Sequence, residues 1–218
     1  MKQKKEFHVG IEELEQEAEP FYKGPLKVIF ALFVVLIFIM MIIPYYSLKV
    51  DPAPRNIPSL SDVLPEKFNV IVYNSSSYYE NLHPEESVVK EVANKVVIAS
   101  CNNNDICSAK ALFYFVRDNF KYVGEGRDYI MSSSEMFSVK GDDCDGHAVL
   151  LANLLQAVGL NTRFVFVPNH VLLQVWLPDA AKRYKVSDDW IYLDPTCQSC
   201  SFGELPQQYV DSEKRFSE

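Results

Sequence analysis

The sequence predicts an α+β fold preceded by one apolar helix, and three observations predict it. Residues 28–48 carry no charge. Apolar residues then recur at the helical period of 3.6 in three stretches before residue 160. After residue 160 the period drops to 2 in three short runs, 162–167, 171–177 and 190–194. Helices first and antiparallel strands after is the order of an α+β domain. The 218 residues, 48% hydrophobic and 23% charged, suit one domain of moderate size. The net charge of −8 excludes a nucleic-acid partner, because no basic stripe is present to neutralise phosphates.

Residues 1–25 are polar, with an acidic run from Glu12 to Glu19, and read as a solvated tail. Residues 26–48 read as an uncleaved transmembrane helix. The uncharged positions 28–48 would span about 31 Å at about 1.5 Å per residue, one hydrocarbon core. Lys27 can snorkel at one end, and Tyr45 and Tyr46 form an aromatic belt at the other. A cleaved signal would be shorter and closer to the start, with a small-residue cleavage site. Lys2, Lys4, Lys5, Lys23 and Lys27 precede the span, against Lys49 and Arg55 just beyond it. That bias predicts a single-pass cell-membrane protein with a cytoplasmic N-terminus and an extracellular domain. Asn74-Ser75-Ser76, a glycosylation acceptor pattern, is compatible with that side. Residues 49–65 carry Pro52, Pro54, Pro58 and Pro65 and read as a stiff spacer, leaving 66–218 for the folded domain.

Within that domain Pro84-Glu-Glu opens a helix whose apolar positions are Val88, Val89, Val92, Val96 and Val97, ending near Ser100. Ser108 is expected to cap a second helix, with Leu112, Phe115, Val116 and Phe120 on its face. Residues 124–140, with two glycines and three consecutive serines, read as a long loop. Gly141-Asp-Asp-Cys-Asp-Gly-His-Ala148 then leads into a helix with Ala148, Leu151, Ala152, Leu155 and Val158 on one face. Asp142 or Asp143 can cap it, and Gly159 sits where a left-handed stop is expected. Cys144 thus falls at a helix N-terminus, where free N–H groups and the macrodipole favour a thiolate.

Of the four histidines, His8 lies in the tail and His83 beside a helix start, which leaves His170 and, as the alternative base, His147. His170 opens the second strand and Asp194 closes the third. If those strands pair so that 170 faces 194, the two side chains share one face about 5 Å apart. That predicts a Cys-His-Asp triad: Cys144 as nucleophile, His170 as acid/base and Asp194 as its orienter. Each residue alone has a plainer reading, as core thiol, surface histidine or turn aspartate.

These motifs in this order, Gly141-Asp-Asp-Cys-Asp-Gly-His-Ala148, then Asn169-His170, then Trp190-Ile-Tyr-Leu-Asp-Pro-Thr196, resemble the transglutaminase-like superfamily of papain-like fold, most of all its membrane-anchored prokaryotic and archaeal members. The resemblance covers about residues 108–205. It implies a papain/transglutaminase-like core in which Cys144 is the nucleophile, His170 the general base and Asp194 the orienting residue. The family turn usually reads Gly-Asp-Cys, whereas an extra Asp intervenes here. Asp145 stands where the animal crosslinking enzymes carry tryptophan. No side chain is matched to the oxyanion hole, and the Cys144 N–H is its default donor.

The other four cysteines form two short-spaced pairs, Cys101/Cys107 and Cys197/Cys200. Outside the cell the expectation is disulfides, local pairing being the simplest of three connectivities. A four-thiolate zinc site at Cys101, Cys107, Cys197 and Cys200 is the rival, and a redox Cys-x-x-Cys the third option. No cofactor is expected. The expected partners are a peptide or protein substrate and the bilayer. The predicted function is thiol acyl transfer at peptide or glutamine-type amides through a thioester, as peptidase, amidase or transglutaminase. The alternative is a catalytically silent binding or adaptor domain of the same family.

Overall fold

A computed structural model describes residues 24–47, 51–124 and 129–217, with 42–47 and 187 described through their backbone alone. The chain divides into two compact units, Met1–Leu48 and Lys49–Glu218. In the first, helix α1 (Pro25–Ser47) is 23 residues long, and every side chain from Leu26 to Met41 is exposed. In this unit the described side chains end at Met41, and among the described residues no helix is long and apolar enough to cross a membrane. The expected tail as far as residue 23, His8 included, and Leu48 at the end of the expected span lie outside the described residues.

The second unit runs α2 (Leu60–Val63), α3 (Ser87–Ser100), α4 (Asp105–Asn119), β1 (Lys121–Tyr122), α5 (Ser133–Val139), β2 (Gly141–Asp142) and α6 (Cys144–Ala157). The strands β3 (Thr162–Val167), β4 (His170–Trp176), β5 (Lys185–Ser187), β6 (Trp190–Leu193) and β7 (Arg215–Phe216) follow. These last five form an antiparallel sheet in the order β5-β6-β4-β3-β7, while β1 and β2 make a separate parallel pair. The α+β order is therefore as the periodicity predicts.

Helix α6 is the centre of the core. Ala148, Leu151, Ala152 and Leu155 on the predicted face are fully buried, but so are Val149, Leu150 and Leu154 on the other faces. The helix packs on α3, α4 and α5 as well as on β3 and β4, so one apolar stripe would not be enough. Asp143 caps it by accepting the Asp145 N–H at 3.0 Å. It ends in a Schellman turn: Gly159 N–H donates to Gln156 and Leu160 N–H to Leu155, with Gly159 at φ +84°.

Three local expectations are corrected. Helix α4 begins three residues before Ser108, because Asn104 accepts the Cys107 N–H at 3.0 Å and caps it instead. The expected loop 124–140 holds α5, built on a capping box in which Ser132 accepts the Glu135 N–H and Glu135 accepts the Ser132 N–H. Residues 51–65, expected as a spacer, lie against the domain. Leu60 and Val63 enter the core, and Asp51 pairs with Lys110 and Arg183 and accepts the Tyr184 hydroxyl at 2.7 Å.

The strand register is also shifted. Leu173 pairs with Leu193 and Trp176 with Trp190, two residues from a register that would set 170 opposite 194. The connection is not a simple hairpin, for the chain between β4 and β6 forms β5, which pairs on the far side of β6. It meets β6 through the two-residue turn Asp188-Asp189, both at positive φ (49° and 67°). A shift of two preserves the face on which every side chain lies, so His170 and Asp194 still share one.

Candidate active site

Cys144 is the first residue of α6, half buried, and the one free cysteine among the described residues. Its sulfur donates to Asp145 Oδ1 at 3.4 Å. The expectation of a resting thiolate is not met. The thiol is pushed up to about 12, first by burial and then by the charges of Asp145 and Asp143. A helix N-terminus supplies about 0.3–1 kcal/mol, less than the ~1.4 kcal/mol of a single pKa unit, so burial and two carboxylates outweigh it. One influence favours the thiolate: the Val171 amide on β4, which lies against the sulfur. On its β6 side β4 is unpaired before Leu173, and this leaves the start of β4 facing the start of α6.

His170 precedes that amide by one residue. Its Nε2 lies 3.0 Å from Asp194 Oδ2, and both side chains are almost fully buried. The even shift of register makes them diagonal neighbours rather than directly opposed, which a histidine spans easily. Burial would raise the Asp194 carboxyl, but the His170 hydrogen bond and charge, together with the Thr196 hydroxyl and N–H, hold it below its ordinary value. An ionised Asp194 can only accept, so Nε2 carries a proton toward it, and the ring's other nitrogen, Nδ1, is the one left to exchange a proton. Thr196 donates twice to Asp194 Oδ1, from Oγ1 at 2.6 Å and from N at 3.1 Å. Asp194-Pro-Thr196, which sequence alone leaves as an ordinary turn, is thus an Asx-type turn that fixes the carboxylate. Among the described hydrogen bonds none joins Cys144 to His170.

Tyr209 stacks on the imidazole with ring centroids 5.0 Å apart and planes 11° from parallel. It belongs to a 3-10 turn, Gln207–Tyr209, that closes one side of a cavity of about 580 Å³ shared by Tyr122, His170, Asp194 and Thr196. Nothing in the local pattern around Tyr209 signals this role, because the contact is made across the fold. Tyr78 is a second residue the sequence conceals: half-buried, it donates its hydroxyl to Asp145 Oδ1 at 2.9 Å. Burial, then the charge of Asp145, holds that phenol far above its ordinary value.

His147, the alternative base, is fully buried, and its Nδ1–H donates to the Asp143 carbonyl at 2.8 Å. Its Nε2 has no partner in hydrogen-bond geometry, though the Phe120 carbonyl lies close enough to favour a proton there. Burial dominates and keeps this ring neutral. His147 therefore braces the turn before Cys144. His83, expected at the surface, contacts Glu85 at 3.2 Å and stacks on Tyr73.

The remaining cysteines form two disulfides, Cys101–Cys107 and Cys197–Cys200, with Cα separations of 5.8 and 5.3 Å. The zinc alternative needs all four as thiolates, and bonded sulfurs supply none. Cys197 also lines the cavity, directly after Asp194-Pro-Thr. Asp143, Cys144 and Asp145 present ligand atoms within 4.8 Å of one another. Their carboxylates are already engaged, by the Asp145 N–H on one side and by Tyr78 and Cys144 on the other.

The family profile of the transglutaminase-like superfamily matches residues 90–195. No curated protein matches the chain. Among solved structures the chain resembles a protein described as a candidate cysteine protease from Cytophaga hutchinsonii, at 17% identity and a TM-score of 0.42, over 56% of this chain and 40% of that one. It also resembles LapG of Legionella pneumophila, at 15% identity and a TM-score of 0.37, over 58% and 79% of the two chains. The stretch that matches this profile, residues 90–195, holds Cys144, His170 and Asp194, and over it the chain is similar to the transglutaminase-like superfamily.

Proposed function

We propose that the chain is a thiol acyl-transfer enzyme acting on peptide or glutamine-type amides, with Cys144 as nucleophile, His170 as acid/base and Asp194 as the residue that orients His170. The observation that carries this reading is the buried His170–Asp194 pair at 3.0 Å, whose Nδ1 is left to exchange a proton one residue from the amide that faces Cys144. The resting thiol is neutral, so its proton passes to Nδ1 as the S–C bond forms rather than beforehand. The thioester is then resolved by water, giving peptidase or amidase activity, or by an amine, giving transfer.

The same reading places the domain outside the cell on an anchor at residues 26–48, with the N-terminus cytoplasmic. Supporting it are the uncharged stretch 28–48, the lysine bias before it, and an α1 that is apolar on every side. Two disulfides suit an oxidising compartment.

A catalytically silent binding domain is the second reading. It is favoured by the thiol raised to about 12 and by the absence of a described Cys144–His170 hydrogen bond. Incubating wild type and Cys144→Ala with a peptide library containing amine acceptors separates the two. The enzyme reading expects Cys144-dependent hydrolysis or transfer. Identical, unchanged peptide profiles for both proteins would favour the silent domain.

A further inference from the structure

One motif has no part in the site around Cys144: Asn74-Ser75-Ser76, the only place in the chain where Ser or Thr follows an asparagine by two residues. A glycan on asparagine needs that hydroxyl two positions on and an exposed amide, at a surface where a bulky polar group displaces nothing. A three-residue pattern also occurs by chance, and what distinguishes an acceptor is how the fold presents it.

Here the middle residue is tied down and the two outer ones are free. The Ser75 carbonyl accepts from the Ile130 N–H at 3.0 Å and from Asn81 Nδ2 at 3.1 Å. The Ser75 hydroxyl donates to Glu80 at 2.5 Å and accepts the Ser77 N–H at 3.0 Å. Asn81, itself buried, also donates to the Ser77 carbonyl at 2.9 Å, so the bend is fixed from the protein side. Asn74 and Ser76, by contrast, are exposed, and neither side chain makes a hydrogen bond among the described residues. Asn74 stands at φ +51°, the left-handed region that asparagine tolerates better than most residues with a side chain. The bend therefore keeps an acceptor amide where glycine would otherwise be favoured. Asn104, Asn119 and Asn153 use their amides inside the fold, on the Cys107 and Leu60 N–H groups and on Ser133. Asn74 also lies outside the lining of the cavity beside His170, so a group attached there starts away from it.

We propose that Asn74 is the attachment site of an N-linked glycan. The proposal rests on the outside placement of the domain given above, the side on which this modification is made. The co-reactant is a lipid-linked oligosaccharide. The Asn74 amide nitrogen attacks the anomeric carbon of its first sugar, so that an N–C bond forms and the C–O bond to the lipid phosphate breaks. The phosphate leaves with the electron pair, and one amide proton goes to a base of the transferase. Nothing is oxidised or reduced. Ser76 contributes no atom to the product; its free hydroxyl is the group the transferase must bind.

The test isolates the full chain from the membranes of the cells that make it, cuts it with trypsin after Lys67 and Lys90, and measures the mass of peptide 68–90. That peptide should carry the added mass of at least one saccharide unit, localised to Asn74 by fragmentation. Ser76→Ala should abolish the added mass, and Ser76→Thr, which keeps a hydroxyl, should retain it. Both changes fall at an exposed side chain without a described hydrogen bond, where folding does not depend on them. In parallel, a membrane-impermeant amine reagent applied to intact spheroplasts reports the side of the domain through the exposed Lys121 and Lys140. A bare 68–90 peptide in a domain whose lysines are labelled overturns the glycan assignment and leaves the outside placement standing. A bare peptide with lysines labelled only after lysis overturns the placement, and the assignment with it. A saccharide that survives Ser76→Ala is not attached through this motif and also overturns the proposal.

Discussion

At the scale of single residues the candidate site combines a half-buried, neutral thiol with a histidine fixed by Asp194 and stacked on by Tyr209. Cys144 is flanked by Asp143 and Asp145, and the latter holds the thiol proton at 3.4 Å while accepting from Tyr78. Removing the Asp145 charge should therefore lower the thiol pKa. We predict that Asp145→Asn accelerates iodoacetamide labelling of Cys144 at pH 8 about 3- to 10-fold, the change given by half to one pKa unit. In wild type the labelling rate should still be climbing above pH 9. Asp194 carries the opposite linkage. Its folded value lies below the ordinary 3.8, so the stability it contributes is present above that pH and is lost as pH falls through the folded value. Asp194→Asn should cost about 1–3 kcal/mol at pH 7 in urea denaturation, and the difference from wild type should shrink below about pH 4. Cys144, His170 and Asp194 are legible in the sequence as candidates because each sits at an element terminus beside a recognisable turn, and the structure brings His170 and Asp194 together. The protonation state of Cys144 is not, because it depends on burial and on carboxylates whose effect outweighs the helix end.

At the scale of elements, pairing and loops decide how the triad candidates meet. The β3 and β6 starts and the α6 caps are readable from period, Asp143 and Gly159. The β4–β6 offset is not, since it depends on β5 inserting into the connection, and only its parity matters for the site. The loop after Asp194 is held from both sides: the Cys197–Cys200 disulfide closes it, and Arg117 donates to the Cys200 carbonyl at 2.7 Å. We predict that a Cys197→Ser/Cys200→Ser variant lowers kcat at least about fivefold with KM little changed, by loosening Asp194 and the cavity wall, whereas Cys101→Ser/Cys107→Ser affects stability alone. Steady-state kinetics beside thermal melts would distinguish the two disulfides. Tyr209, invisible in the sequence, belongs here as a positioning residue. Tyr209→Phe keeps the stack on His170 and should keep the pH–rate profile. Tyr209→Ala should lower kcat about tenfold with KM little changed, read from steady-state kinetics.

For the molecule as a whole, α6 links stability to the candidate site, because one helix both fills the core and presents Cys144 at its start. Leu151 sits at its centre and is fully buried. Leu151→Ala should cost about 2–5 kcal/mol by calorimetry or denaturant titration, as for buried leucines generally. The α+β architecture was readable because period and order change cleanly at residue 160. The ordering of residues 51–65 was not, since proline spacing says nothing of the core that Leu60 and Val63 join. The claim on which the rest depends is that Cys144 forms an acyl-enzyme with the help of His170. Intact-mass spectrometry after brief exposure to an activated acyl donor measures that adduct directly. Wild type should gain one acyl group that maps to Cys144, His170→Ala should gain it at least about 100-fold more slowly, and Cys144→Ala not at all. An unmodified wild type, or an adduct that forms equally fast without His170, would contradict it.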